Sequence, residues 1–312
     1  MQNKEKNFAS AVIYVHNAGK TVEEFLGVVI PVLENNFSCS EVICVNDFSS
    51  DDSVEKIKKA CKKARSATVS IVSMSYFHGL ETAMNAGIDL AIGDFVFEFD
   101  NTLPDFEPEM IMNIYRRSLT GFDIVSAVPD RRERASSRMF YRLFDRYSEL
   151  SYEMHTESFR VLSRRVINRI SSMTHSVPYR KPVYANQGLK TDSLRYKPVR
   201  PAPAKDRREN KYRFRLGVDS LMLFTNLGFR VSMALTVVML ILTVLSAAFA
   251  VFMHVTARPV EGWVMTVLFL SLAFFGLFAV LSIIIKYLQI IVNMMFKRKQ
   301  YTYESIEKIT TK

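Results

Sequence analysis

The sequence predicts an α/β domain built on a mostly parallel sheet, followed by a C-terminal region of different character. Three observations carry that expectation. Short β-branched runs alternate with amphipathic ones over the first half of the chain, polar residues gather just after those runs, and two long stretches near the C-terminus carry no charge. Alternating strands and helices imply parallel pairing with both sheet faces covered. Such sheets bind ligands at the carboxyl ends of their strands.

The elements follow in order. "ASAVIYVHN" and "SEVICVND" read as strands ending in polar residues, and "TVEEFLGVVIPVLENN" between them has helical spacing. "DDSVEKIKKACKKA" is a helix opened by Asp51 and Asp52, where negative charge is favoured, with its lysines on a solvated face. "ATVSIVSM" is a third strand, "GLETAMNAGIDLAI" a helix and "DFVFEFD" a fourth strand. A helix from about Pro108 to Leu119 then leads into "FDIVSAVP". His16 and Asn17 follow the first strand, Asn46 and Asp47 the second, and Asp100 the fourth. A dinucleotide fold would place several glycines after the first strand. "HNAGKT" has one and also fails the P-loop pattern, so a nucleotide would be bound by other means.

With 312 residues, 49% of them hydrophobic, the chain has room for more than one ordinary domain. Residues 231–257 and 262–285 contain no Asp, Glu, Lys or Arg, and each run exceeds the ~20 apolar residues that cross a bilayer as a helix. Two transmembrane helices are therefore expected, at 231–256 and 262–285, joined by "ARPVEG". Arg207, Arg208, Lys211, Arg213, Arg215 and Arg230 precede the first run, and Lys297, Arg298 and Lys299 follow the second. The positive-inside rule then predicts a multi-pass integral membrane protein with both termini cytoplasmic. Residues 216–230 suit an interfacial amphipathic segment, and 286–312 are expected to form a juxtamembrane helix and a tail. The polar start "MQNKEKNFAS" argues against a signal peptide. A net charge of +10 fits a partner bilayer of anionic lipid. No nucleic-acid recognition motif accompanies it, so no nucleic-acid partner is expected. Cys39, Cys44 and Cys61 lack zinc spacing and read as packing residues.

The order "VIYVHNAGKTVEEFL", "EVICVNDFSSDDS", "HGLETAMNAGIDLAIGDFVFEFD", "FRVLSRRVINRI" and "RRENKY", ending in "KRKQYTY", resembles the family 2 glycosyltransferases. Within them it is similar to the membrane-anchored polyprenyl-phosphate sugar transferases. The likeness runs from about Ala9 to Tyr303. It implies a GT-A type nucleotide-sugar-binding domain over 1–215 with a mixed sheet. The implied activity is inverting transfer of a sugar from a nucleotide-sugar, UDP rather than GDP, to polyprenyl phosphate. A homo-oligomer is expected. Two other functions stay open: extension of a lipid-linked or surface polysaccharide, and nucleotide-sugar binding without catalysis.

The resemblance also assigns residues. Asp47 matches the second of a doubled Asp and would help hold the nucleoside, with Asn46 in place of the first; His16, Asn17, His78 and Gly79 join them at the donor, the two histidines as pocket walls. Ala83 and Gly87 match downstream small residues. Asp100 keeps the first carboxylate of an Asp-x-Asp motif and Thr102 replaces the second. Asp100 and Asp105 are thus the expected catalytic and metal-binding carboxylates for Mg²⁺ or Mn²⁺, Asp105 supplying the missing charge from across the turn, and Asp100 and Thr102 are also expected at the donor. Arg131, Arg132, Arg134, Arg160 and Lys211 are expected to grip the acceptor phosphate or the departing diphosphate. Ser158 stands where the family usually has Asp.

Overall fold

β1 (Glu5–Val15) is the buried axis of the sheet, flanked in parallel by β2 (Phe37–Asn46) on one side and β4 (Phe95–Phe99) on the other. The computed structural model describes residues 4–131, 135–147, 156–173, 179–186, 188–201, 214–221, 230–231, 233–239, 241–242, 244–245, 248, 263–296 and 301–309. β3 (Thr68–Met74) pairs parallel with β2. β5 (Ile124–Pro129) and β6 (Phe159–Ser163) extend the other side, β6 running antiparallel between β4 and β5, and β7 (Thr191–Tyr196) lies parallel to β5. β8 (Tyr303–Ile309) is antiparallel to β3. The order is β7-β5-β6-β4-β1-β2-β3-β8.

The helices are those that the apolar spacing demands. α1 (Val22–Asn36) buries Val22, Phe25, Leu26, Val29, Ile30 and Leu33 on one stripe. α2 (Ser53–Cys61) buries Ile57, Ala60 and Cys61, leaving its lysines outside. α3 (Leu80–Leu90) lies so close to the sheet that a Cβ on Gly87 would stand 2.4 Å from Val12 Cγ1. α4 (Glu109–Ser118) sets Tyr115 against Phe37, Phe95 and Phe97. α5 (Ala135–Tyr147), α6 (Arg164–Met173) and α7 (Arg180–Asn186) follow. The core over one sheet face gathers Ile13, Phe25, Phe97, Phe99, Phe106 and Phe159.

The five strands expected from sequence are present, and β1 begins four residues earlier than Ala9. There the Phe8 N–H donates to Asp94 Oδ2 at 2.8 Å, which carries the strand into polar sequence. Cys44 and Cys61 are buried as expected, but Cys39 is exposed.

The described residues group into two compact units, one from 1–145, 150–214 and 298–312, the other from 146–149 and 215–297. The second contains α8 (Trp263–Phe296), in which a Cβ on Gly276 would meet Met239 at 2.4 Å and Lys286 pairs with Asp219 at 2.7 Å. The two expected transmembrane helices require correction. Among the described residues no helix is long and apolar enough to cross a membrane. Of 231–256 only short pieces are described. The multi-pass placement with cytoplasmic termini is withdrawn with them. Most of the interfacial segment expected at 216–230 lies outside the described residues. The expected tail also differs, because 303–309 form the terminal strand of the sheet.

Candidate active site

The carboxyl ends of β1, β2, β3 and β4 meet at one edge, and their loops are tied to one another there. Asn17 takes a left-handed backbone (φ 48°), which Asn tolerates better than most residues. Its N–H donates to Ser49 Oγ at 3.0 Å and its Oδ1 accepts from Ser50 N–H at 2.9 Å. His16 Nδ1 lies 2.7 Å from Asp47 O, and its ring packs on Phe77 at 4.7 Å. Asn46 Oδ1 accepts from Ser49 N–H at 3.2 Å. At the next helix Asp51, rather than Asp52, accepts from the Ser53 N–H, at 3.1 Å.

Asp47 is the internal anchor of this edge. Its carboxylate is 0% exposed and accepts from His78 N–H at 2.8 Å, Gly79 N–H at 2.8 Å and Tyr14 Oη at 3.0 Å. Gly79 has φ 86°, a conformation that an L side chain strains, and it opens α3. Asp47 is thus placed at the N-terminus of α3, where negative charge is favoured. Burial pushes its carboxyl up all the same, against the lowering effect of those three donors. With its oxygens so occupied, Asp47 ties β1, β2 and the start of α3 together from within.

Asp100 ends β4 and stands in a buried charge cluster. Arg160 Nη2 reaches Asp100 Oδ2 and Arg180 Nη2 reaches Asp100 Oδ1, both at 2.8 Å. Strand alternation puts Glu98 on the sheet face opposite Phe97 and Phe99, and the β4–β6 register sets it directly across from Arg160. Arg180 Nη1 donates to Glu98 Oε2 at 2.8 Å, and Arg180 Nε donates to Glu81 Oε2 at 2.9 Å. Tyr184 Oη donates to Glu98 Oε1 at 2.6 Å. Both arginines are 1% exposed. Burial pushes the Asp100 carboxyl up, but the two guanidiniums overcome it and hold it well below the usual carboxylate range. For Glu98 burial wins over Arg180 and Arg160, and its carboxyl is raised. Arg160 Nη1 has no hydrogen-bond partner among the described residues.

Thr102 and Asp105 have other partners. Thr102 Oγ1 is 2.7 Å from Thr21 Oγ1. Asp105 Oδ1 accepts from Tyr196 Oη at 2.9 Å, and Asp105 Oδ2 pairs with Arg131 Nη2 at 2.9 Å. Ser158 Oγ is 2.7 Å from the same tyrosine oxygen, so the residue replacing the family's Asp joins this second cluster. Burial raises the Asp105 carboxyl against the pull of Tyr196 and Arg131. The fold brings His16, Asn17, Asn46, Asp47, His78 and Gly79 together at one edge, and Asp100 with Arg160. Arg132, Arg134 and Lys211 lie outside the described residues.

Sequence reasoning missed Arg180, Glu81, Tyr184, Tyr196 and Tyr14. Glu98 was missed as well, although its place two residues before Asp100 on one strand was a signal that could have found it. Arg180 had no such signal, because "PYRKPVYAN" carries no spacing that points across the chain to Asp100.

A mixed sheet centred on parallel strands, with acidic residues converging at its carboxyl edge, defines an α/β domain of GT-A type. Residues 10–171, just over half of the chain, match the family described as Glycosyl transferase family 2, and the chain belongs to that family. It is 30% identical over 187 residues to the uncharacterized glycosyltransferase sll0501 of Synechocystis sp., covering 58% of each chain. Over 193 residues it is 28% identical to the prophage bactoprenol glucosyl transferase homolog of Escherichia coli, covering 60% of this chain and 62% of that one. The chain thus spans about three fifths of the length of these relatives. Among solved structures, glucosyl-3-phosphoglycerate synthase of Mycobacterium tuberculosis with Mn²⁺, UDP and phosphoglyceric acid superimposes with a TM-score of 0.52 at 15% identity, covering 69% of this chain and 78% of that one. At that identity the likeness concerns the fold.

Proposed function

We propose that this chain transfers a sugar from a UDP-sugar to polyprenyl phosphate with inversion at the anomeric carbon. The observation that carries this reading is Asp100, fixed by two buried arginines at the carboxyl edge of a family 2 sheet, beside the loops that Asp47 ties together. The relatives named as bactoprenol glucosyl transferases support the lipid phosphate as acceptor. The M. tuberculosis structures with UDP support a uridine nucleotide as donor.

In this reaction an acceptor phosphate oxygen attacks the anomeric carbon while the nucleoside diphosphate leaves from the opposite face. A phosphate monoester has a second pKa of ~6 and is largely anionic at neutral pH, so a strong general base is not required. The larger task is to neutralise the leaving diphosphate. The Mn²⁺ that accompanies UDP in the M. tuberculosis structures supports a divalent ion in the donor complex here. The expected ligands do not fit that ion as they stand. Both oxygens of Asp100 face guanidiniums, Thr102 bonds Thr21, Asp105 faces Arg131 and Tyr196, and no group of three or more His, Cys, Asp or Glu among the described residues could hold a metal. The chain's own cations therefore carry the argument. Arg160 Nη1 is a donor suited to a phosphate oxygen, and Arg131 stands beside Asp105 at the same edge. Arg132, Arg134 and Lys211 add to that set in this reading.

The test is product analysis with labelled UDP-glucose, UDP-galactose and GDP-mannose and a short polyprenyl phosphate, with and without a chelator. A labelled lipid-phosphate monosaccharide from a UDP-sugar is expected. A labelled polymer would favour glycan extension instead, and donor binding without turnover would favour a non-catalytic role.

A further inference from the structure

The antiparallel entry of β8 into the sheet has a local consequence at the donor edge. Its first residue, Tyr303, lies opposite Met74 at the carboxyl end of β3, where the 75–79 loop departs. The two residues before β8 are drawn onto that loop and its helix. Thr302 O accepts from Ser75 N–H at 3.2 Å, and Thr302 N–H donates to His78 Nε2 at 3.2 Å. Tyr301 Oη bonds Asp89 on α3. On its other side, His78 Nδ1 is 2.6 Å from Tyr76 O, and the Tyr76 and His78 rings stack at 3.9 Å and 18°.

These contacts assign the His78 ring a single form, with Nδ1–H donating to Tyr76 O and Nε2 accepting from Thr302. The main-chain N–H groups of His78 and Gly79 are the donors that fix Asp47. A chain of contacts thus runs from the C-terminal segment through His78 to Asp47. Tyr76 in this loop is 56% exposed, and the loop is held at Ser75 and His78 by Thr302 and at His78 and Gly79 by Asp47. Farther along β8, Glu307 pairs with Lys58 at 2.7 Å, which ties the strand to α2 as well.

We propose that the C-terminal segment is part of the donor site. The Thr302 N–H is a positioning group that holds His78, and through it the 75–79 loop, in the form that receives a nucleoside diphosphate. This rests on the nucleotide-sugar reading given above.

The full-length chain is tested by calorimetric titration with UDP. Thr302→Pro removes the N–H and keeps the carbonyl; Thr302→Ala keeps both. Loss of one such hydrogen bond should weaken UDP about five- to tenfold in Thr302→Pro, while Thr302→Ala binds as the parent does. His78→Phe keeps an aromatic ring for Tyr76 and loses both ring hydrogen bonds, Nδ1–H to Tyr76 O and Nε2 to Thr302; it should weaken UDP at least as much, and adding Thr302→Pro to it should change nothing further. Parent-like affinity in Thr302→Pro overturns the proposal, as does equal weakening by Thr302→Ala. If Thr302→Pro does not fold, His78→Phe decides alone, and parent-like binding by it is the overturning result. A parent chain that binds neither UDP nor GDP would instead overturn the donor reading on which this inference rests.

Discussion

Arg180 illustrates how much one buried side chain can hold. It pairs with Glu81, Glu98 and Asp100 at once, from three different segments. Removing one partner of a buried ion pair leaves uncompensated charge and costs about 3–5 kcal/mol. Arg180→Met is therefore expected to lower the melting temperature sharply, and more at pH 8 than at pH 5. Glu98, whose carboxyl burial already raises, loses the guanidinium that faces it most closely and is held as the neutral acid at low pH, so the variant loses stability as pH rises; thermal melts across that range check the sign. Asp100 gives the opposite slope. Its folded value is depressed, so its contribution is present above the unfolded value of ~3.9 and is lost as pH falls. Asp100→Asn should be less stable than the parent at pH 7, and the gap should narrow below about pH 4 in acid titrations followed by circular dichroism. The same variant is expected to transfer little or no sugar.

At the scale of elements, the seating of α3 on the sheet fixes how its N-terminus meets the donor edge. Gly87 allows that seating, because a Cβ there would stand 2.4 Å from Val12 Cγ1 and 2.6 Å from Val45 Cγ2. Both neighbours are branched, fully buried and on central strands, so neither can move away freely. Gly87→Ala is expected to cost about 1–3 kcal/mol by overpacking, read as a lower urea midpoint. Val12→Ala should recover part of that loss in the double variant, since it removes the methyl groups that clash. α3 also carries Glu81 into the Arg180 cluster, so one helix serves both halves of the edge.

For the whole molecule, β8 closes one side of the eight-stranded sheet with residues from the end of the chain. Glu304, Glu307 and Lys308 are exposed on it, charges of the kind that keep a terminal strand from pairing with another molecule. A chain ending at Gln300 would leave β3 as an unguarded edge that carries Val69, Ile71 and Val72. That truncation is expected to form soluble aggregates, detected by light scattering during refolding, whereas Glu307→Gln should not.

The alternation of β-branched and amphipathic runs determined the five-stranded order of elements, and the polar residues after each run determined which edge bears the site. Those signals are local: side-chain period and strand ends can be read from neighbours in sequence. Asp100 was legible for that reason. What tertiary structure decided is what pairs across distance. Arg160 and Arg180 come from segments 60 and 80 residues away to take the oxygens of Asp100, and Asp105 turns to Tyr196, 91 residues on. Likewise "YESIEKI" reads as an ordinary polar tail, and only the unpaired edge of β3 makes it a strand. Charge compensation and backbone pairing depend on which groups are brought together in a place without water, and no spacing along the chain records that.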